Sequence, residues 1–238
     1  MRSLLLTQSD LQDVGTTQLH PLGQIAQDEN GRSFRYAKAS GAVGAGRLVA
    51  AAANVANHVG ARATNSAAIG DTVIEVTVGA TAVTEDQYKG GLIVINAGTG
   101  LGQSFRIKGN TAAASSGTTK VYIEGAVKVA LASADSKAHL YPNKFNGVST
   151  SSTLALRRVG VSVVALADGQ FGWICTQGVC AVLVEGAAVA IADPVIPSAT
   201  TAGAVEGIGT AAVTDQVVGV ATQAGTTAQY SGVDLNLE

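Results

Sequence analysis

The chain has 238 residues, a formal net charge of −2 and only 13% charged residues. Its basic residues are scattered, with Arg157 and Arg158 as the only adjacent pair, which disfavours nucleic-acid binding because that function needs a concentrated positive face. The 29 glycines and 4 prolines exclude collagen, and a surface so poor in charge favours an oligomer whose apolar area is covered over a monomer.

The N-terminal residues 1–64 show weak periodicity and are predicted to form an irregular, extended arm. Its apolar start, residues 1–6, ends at Thr7 and is too short for a secretion signal. Residues 33–38 alternate as a half-buried strand, whereas residues 48–53 are equally compatible with a helix and with extended chain. The apolar stretch 48–61 contains Asn54, Asn57 and His58, so it is not a membrane span.

Residues 65–147 predict a β module. Alternating or β-branched segments indicate strands over residues 72–78, 90–96, 104–108, 119–124, 127–131 and 135–140. Residues 142–147 read as a linker.

Residues 148–238 predict a second module, a small β barrel. Its strands are predicted over residues 160–166, 187–192, 216–222 and 233–237, with a hairpin formed by 171–176 and 179–184 across Gln177-Gly178. The fold class is therefore all-β, with two small β-barrel or β-sandwich modules and an extended N-terminal arm.

The sequence contains only weak matches to motifs for catalysis or ligand binding. We therefore predict no catalytic, cofactor-binding or metal-binding residues. The glycines of the loop 98–102 precede a strand rather than a helix, so a hairpin loop is predicted instead of a phosphate site. His20, His58 and His139 lie far apart, without metal-ligand spacing. The adjacent acids Asp28-Glu29 and Glu85-Asp86 are interpreted as solvated turn residues, not as catalytic dyads.

Cys175 and Cys180 flank the predicted turn, where they would face each other across the hairpin. A cross-strand disulfide is possible, but in a reducing cytosol buried free thiols beside Trp173 and Val182 are expected. Trp173, the only tryptophan, is predicted to be a core residue rather than a platform for sugar stacking.

Two stretches of the chain, residues 90–107 and 141–148, resemble a sequence that recurs in tailed-bacteriophage virion structural proteins. Residues 169–221 are similar to capsid decoration (cement) proteins, in which a "Gly-Asp-Pro-Val" turn and a "Val-Val-Gly-Val-Ala" strand help to build a small β barrel. The chain has Asp193-Pro194-Val195 and residues 217–221 in these places, with Ala192 where the turn usually carries glycine.

The resemblance implies a non-enzymatic protein of the virion capsid surface, assembled in the host cytoplasm without a cofactor. Its expected partners are the major capsid protein and its own copies, as a homotrimer, with no nucleic acid and no membrane. Residues 1–64 would then be an arm that becomes ordered on the partner. Three alternatives stay open: a tail, head-fibre or adhesion component that binds host glycans, a hydrolase, and a bacterial surface-layer module.

Overall fold

The computed structural model describes residues 4–208 and 215–238, which divide into two compact units. Unit 1 combines residues 1–52 with residues 144–238, and unit 2 consists of residues 53–143. The elements are, in chain order, β1 (Leu4–Leu6), α1 (Gln8–Gln12), β2 (Ile25–Asp28), β3 (Ser33–Ala39), β4 (Leu48–Ala50), β5 (Arg62–Ala63), β6 (Val73–Thr77), β7 (Leu92–Ala97), β8 (Ser104–Asn110), β9 (Thr118–Ile123), β10 (Lys137–Tyr141), β11 (Asn146–Val148), β12 (Arg158–Ser162), β13 (Phe171–Val184), β14 (Pro194–Pro197), β15 (Val205–Gly207), β16 (Gly219–Ala221) and β17 (Gln229–Asn236). The described chain is thus nearly all β, as the sequence predicts.

Unit 2 is a nearly closed barrel of six strands in the order β5-β10-β7-β8-β9-β6. An isolated bridge between Thr64 and Val76 brings its two edge strands together. Alternate residues point inward, so that Ile74, Ile93, Val121 and Leu140 are fully buried in one apolar core. The small, β-branched residues that dominate the composition therefore fill this barrel.

Unit 1 contains a closed five-stranded barrel in the order β13-β15-β14-β16-β17, with β17 returning to β13. Its interior is formed by alternate residues of each strand, among them Val182 and Val233. The first half of β13 continues beyond the barrel and pairs with β3, from Phe171 opposite Lys38 to Gln177 opposite Ser33. The strands β1, β2, β4, β11 and β12 complete this sheet of 11 strands.

The predicted arm, residues 1–64, is divided between the two units: residues up to 52 belong to unit 1 and residues 53–64 to unit 2, which corrects the prediction of an extended arm. β3 pairs with β13 and β11, and β4 pairs with β12, so that residues 33–50 are held by long-range strand pairing. The predicted boundaries 1–64, 65–147 and 148–238 consequently do not coincide with the two units. Sequence periodicity reports local structure, whereas these pairings join segments more than 100 residues apart.

Several local predictions also change. Residues 48–50 are a strand, neither helix nor free arm, and all three are buried, which removes the alternation that marks a half-buried strand. The predicted strand over 187–192 is wrong: Ala192 has a positive φ of 69° in a turn, and the strand begins at Pro194. Residues 127–131 form no strand beyond a bridge from Leu131 to Ala67, and the predicted linker 142–147 overlaps β11.

Candidate functional site

The glycine-rich loop 98–102 connects the antiparallel strands β7 and β8, which confirms the predicted hairpin loop. Gly98, Gly100 and Gly102 all have positive φ angles. The carboxylate of Asp135 accepts hydrogen bonds from the Thr99 backbone N–H (3.1 Å) and hydroxyl (3.0 Å). The Thr99 donors of this loop are therefore occupied by a carboxylate, which would repel a phosphate.

The three histidines occupy separate places. His20 packs against Tyr36 and Trp173 in unit 1, whereas His139 accepts a hydrogen bond at Nδ1 from the Gly60 N–H (2.9 Å) in unit 2. His58 is fully buried in unit 2. Within residues 4–208 and 215–238, no three His, Cys, Asp or Glu residues are grouped as metal ligands.

His58 ties a short helical turn (Ala56–His58) to the barrel of unit 2. Its Nε2 lies 2.9 Å from the Thr81 carbonyl oxygen, which only accepts, so Nε2 carries the proton. Its Nδ1 then accepts from the Tyr88 hydroxyl at 2.5 Å. Burial raises the pKa of Tyr88 to about 12, which keeps this hydroxyl protonated as a donor.

We expect Tyr88→Phe to lower the free energy of unfolding of unit 2 by about 1–3 kcal/mol, because it leaves the buried Nδ1 of His58 without a donor. Urea denaturation monitored by circular dichroism measures this change. Tyr122→Phe is the control: Tyr122 is an exposed residue of β9, and its hydroxyl can be lost at a cost within about 0.5 kcal/mol. Equal effects of the two substitutions would contradict the assigned hydrogen bond.

The two adjacent acid pairs differ in environment. Glu85 and Asp86 are exposed, and Asp86 forms a salt bridge of 3.0 Å with Lys89, as expected for a solvated turn. Asp28 is the last residue of β2, directly before the turn, and it is buried, which corrects its interpretation as a solvated turn residue. Its carboxylate accepts from the Arg32 backbone N–H (2.9 Å) and Nε (2.8 Å).

The Asp28 carboxylate should make the stability of unit 1 depend on pH. Burial opposes its ionisation, but the hydrogen bonds from Arg32 outweigh this effect and hold the pKa of Asp28 below its ordinary value of 3.8. A depressed pKa in the folded state contributes stability above pH 3.8, and this contribution is lost as the pH falls below that value. Asp28→Asn should therefore cost about 1–3 kcal/mol at pH 7 and progressively less below about pH 4.

Urea titrations of Trp173 fluorescence at pH 7, 4 and 2.5 test this dependence, since Trp173 and Asp28 lie in the same unit. Glu29→Gln is the matched control, because Glu29 is the exposed neighbour. A loss for Asp28→Asn that is constant over the three pH values would show that the charge is not responsible.

The two cysteines form a disulfide, which corrects the expectation of free thiols. The predicted hairpin is also wrong, since the two halves of β13 pair with β3 and β17 rather than with each other. Five residues of extended strand span about 16 Å, yet the Cα atoms of Cys175 and Cys180 are only 7.0 Å apart. The strand therefore bends sharply at the irregularity between Cys175 and Gln177, and the disulfide closes this bend.

A cleft of about 520 Å³ lies at the N-terminal edge of unit 1. We call it the edge cleft. Its lining comprises Leu4, Leu5, Leu6, Asp10, Asp13, Gly15, Thr16, Thr17, Leu19, His20, Tyr36 and Trp173.

Aromatic packing holds the inner wall of the edge cleft. Trp173 is buried with 3% of its surface exposed, which confirms its place in the core. Its ring centroid lies 5.1 Å from that of Tyr36 and 5.2 Å from that of His20. The Tyr36 hydroxyl accepts from the Leu19 N–H at 3.3 Å and so fixes the loop that forms the rim.

The outer wall of the edge cleft combines acidic and aliphatic groups. Thr7 and Asp10 form a capping box at α1, and hydrogen bonds from Thr7 lower the pKa of Asp10. Leu5 and Leu19 lie in the same lining and expose 66% and 64% of their surface. The lining includes Asp10 and Asp13 but neither lysine nor arginine, so its charged groups favour a cation.

A second exposed surface runs across the outside of the five-stranded barrel. Val179 on β13 and Val220 on β16 both pair with Asp234 on β17, and Pro194 on β14 pairs with Val220. Val179 and Val220 expose 48% and 43% of their surface. We call these four residues the barrel row.

Sequence reasoning missed the edge cleft and the barrel row. The apolar run Leu4–Leu6 is the one sequence signal for the edge cleft. The other lining residues, such as Asp13, Tyr36 and Trp173, come from segments that only the sheet brings together. For the second, the alternation of residues 217–221 predicts a strand without revealing which of its faces is covered.

No protein-family model matches the chain, and neither a curated protein nor a solved structure shows significant similarity to it. Among the residues that the structure describes, no helix has the length and hydropathy needed to cross a membrane.

Proposed function

We propose that the chain is a non-enzymatic structural protein of a tailed-bacteriophage virion: a decoration, or cement, protein of the capsid surface. Its partners are the major capsid protein and further copies of itself, as a homotrimer. Such a protein stabilises the shell by binding only the assembled lattice.

The observation that carries this proposal is the barrel row. Outward positions of a solvated strand normally carry polar side chains, but here two half-exposed valines and a proline flank a single acid. A weakly charged, partly apolar surface on a closed barrel suits contact with another protein. With only 13% charged residues in the chain, such contact requires little desolvation of charge.

The sequence resemblance supports the same function. The segments that resemble decoration proteins, around Asp193-Pro194 and residues 217–221, contribute β14 and β16 of the five-stranded barrel. The element that the resemblance predicts, a small β barrel, is thus built from the residues that carry it.

The test is light scattering on the size-exclusion peak of the purified chain, followed by co-sedimentation with expanded capsids. We expect a trimer that co-sediments to saturation. A monomer that stays in the supernatant would overturn the proposal. Binding to a glycan array by such a monomer would favour the alternative of an adhesion component.

A double substitution, Val179→Lys with Val220→Lys, tests the barrel row itself. Both side chains point away from the barrel interior, so the variant should keep the unfolding midpoint of Trp173 fluorescence while it loses trimer formation or capsid binding. Val129→Lys, at an exposed valine of unit 2, is the matched control for the added charge. Unchanged assembly of the double variant would exclude the barrel row as the contact surface.

A further inference from the structure

The edge cleft is bordered by a strand whose outer edge has no neighbour within the described residues. β1 is the terminal strand of its sheet, and it pairs only with β2, from Leu4 opposite Ala26 to Leu6 opposite Asp28. An edge strand presents unpaired N–H and C=O groups to any extended chain that approaches it.

β1 is short, at three residues, but it carries none of the side chains that usually protect an edge. Proteins commonly block exposed edges with lysine, proline or a bulge, but β1 consists of three leucines, of which Leu5 is largely exposed. Leu19 is also exposed across the same cleft. An added strand would therefore gain backbone hydrogen bonds and cover apolar surface at the same time.

The charges of the cleft select the chemistry of the added strand. Asp10 and Asp13 lie in the lining, which contains neither lysine nor arginine and has His20 as its one basic side chain. Carboxylates attract guanidinium and ammonium groups. The complementary occupant is an extended segment in which an arginine or lysine alternates with apolar residues.

We propose that β1 and the edge cleft receive an extended basic segment of the major capsid protein, which adds to the sheet as a further strand. This inference rests on the proposed function for the identity of the partner. The segment pairs with the backbone of β1, packs its apolar side chains against Leu5 and Leu19, and places a cationic side chain at Asp13.

A peptide titration tests the site without capsids. The probe is a blocked seven-residue peptide that alternates valine with arginine, and the readout is the fluorescence of Trp173, the only tryptophan, which lines the cleft. We expect saturable binding to the full chain, with at least tenfold weaker binding of a peptide that carries glutamate in place of arginine. A peptide with alternate backbone nitrogens methylated should not bind, because it cannot donate to β1.

Two substitutions locate the binding on this cleft. Leu5→Lys adds a like charge at an exposed position and should weaken peptide binding more than tenfold, whereas Asp13→Asn should weaken it about three- to fivefold. The matched controls are Leu101→Lys on unit 2 and Glu29→Gln on the turn between β2 and β3, both exposed and both outside the lining. No binding of the arginine peptide, or equal binding by Leu5→Lys, would overturn the inference.

Co-sedimentation with capsids separates this inference from the proposed function. If the wild-type chain and Leu5→Lys bind capsids equally, the inference fails and the proposed function stands. If the arginine peptide binds but no form of the chain binds capsids, the capsid protein is excluded as the partner and the proposed function fails. Selective loss of capsid binding in Leu5→Lys supports both.

Discussion

Gly98→Ala should destabilise unit 2 by about 3 kcal/mol or more. Gly98 has a φ of +75°, a left-handed conformation that costs other residues about 1–2 kcal/mol. A Cβ atom at this position would also lie 2.8 Å from the Ser136 backbone nitrogen and closer still to the Asp135 carbonyl group. Because backbone atoms cannot move aside as a flexible side chain can, overpacking adds about 1–3 kcal/mol.

Gly102→Ala, in the same loop, separates the two contributions. Gly102 also has a positive φ, of +88°, but a Cβ atom there would meet nothing within 4 Å. Only the conformational cost remains, so we expect a loss of about 1–2 kcal/mol. Hydrogen exchange over residues 53–143 measures both variants, with Trp173 fluorescence of unit 1 as the internal reference. Equal losses would show that the chain relaxes around the added methyl group.

Arg158→Met should raise the free energy of unfolding of unit 1 by about 1–4 kcal/mol. Arg158 is 1% exposed on β12, and its Nη2 donates to the Thr153 carbonyl oxygen at 3.1 Å. Its Nε and Nη1 atoms have no hydrogen-bond partner in residues 4–208 and 215–238. Burial lowers the pKa of Arg158, and no acidic group among the described residues offsets this effect.

Methionine fills a similar volume without a buried charge, so the desolvation cost of the guanidinium is removed. The backbone N–H of Arg158, which donates to Gln216 Oε1 at 2.8 Å, is unaffected. Arg157→Met is the control, because its side chain is exposed and should contribute within about 0.5 kcal/mol. Urea denaturation followed by Trp173 fluorescence measures both variants. A destabilised Arg158→Met would mean that the guanidinium is paired in the folded protein.

The strands that alternate regularly were predictable from the sequence. Residues 72–78, 104–108 and 119–124 fall within or close to observed strands, because each has one buried and one more exposed face. Residues 33–38 also form a strand, β3, although both of its faces are largely buried. The predictions failed at other segments in which the two faces do not differ. Residues 48–50 are buried throughout. Residues 187–192 have the composition of a strand, but they end in a turn, and the strand begins only at Pro194.

The candidate site shows the same division. The acids and the isolated histidines gave no reason to expect a site. The edge cleft becomes visible only when β3 and β13 bring Tyr36 and Trp173 into the same lining as Asp13. These residues come from three segments of the chain, and no spacing in the sequence records their proximity. The sequence also gives no sign that, of the two adjacent arginines, Arg158 is buried and Arg157 is exposed.

The sequence by itself determined that this protein is all-β, that its cores are built from small aliphatic residues, and that Trp173 is buried, because strand periodicity and side-chain size are local properties. The tertiary structure alone decided that residues 1–52 complete the unit formed by residues 144–238 and that β13 bends rather than forming a hairpin. It also decided that β1 has an open edge within the part of the chain that the structure describes. Strand partners are chosen by backbone hydrogen bonding and by the burial of whole faces. Both depend on segments distant in the chain, and neither leaves a local pattern.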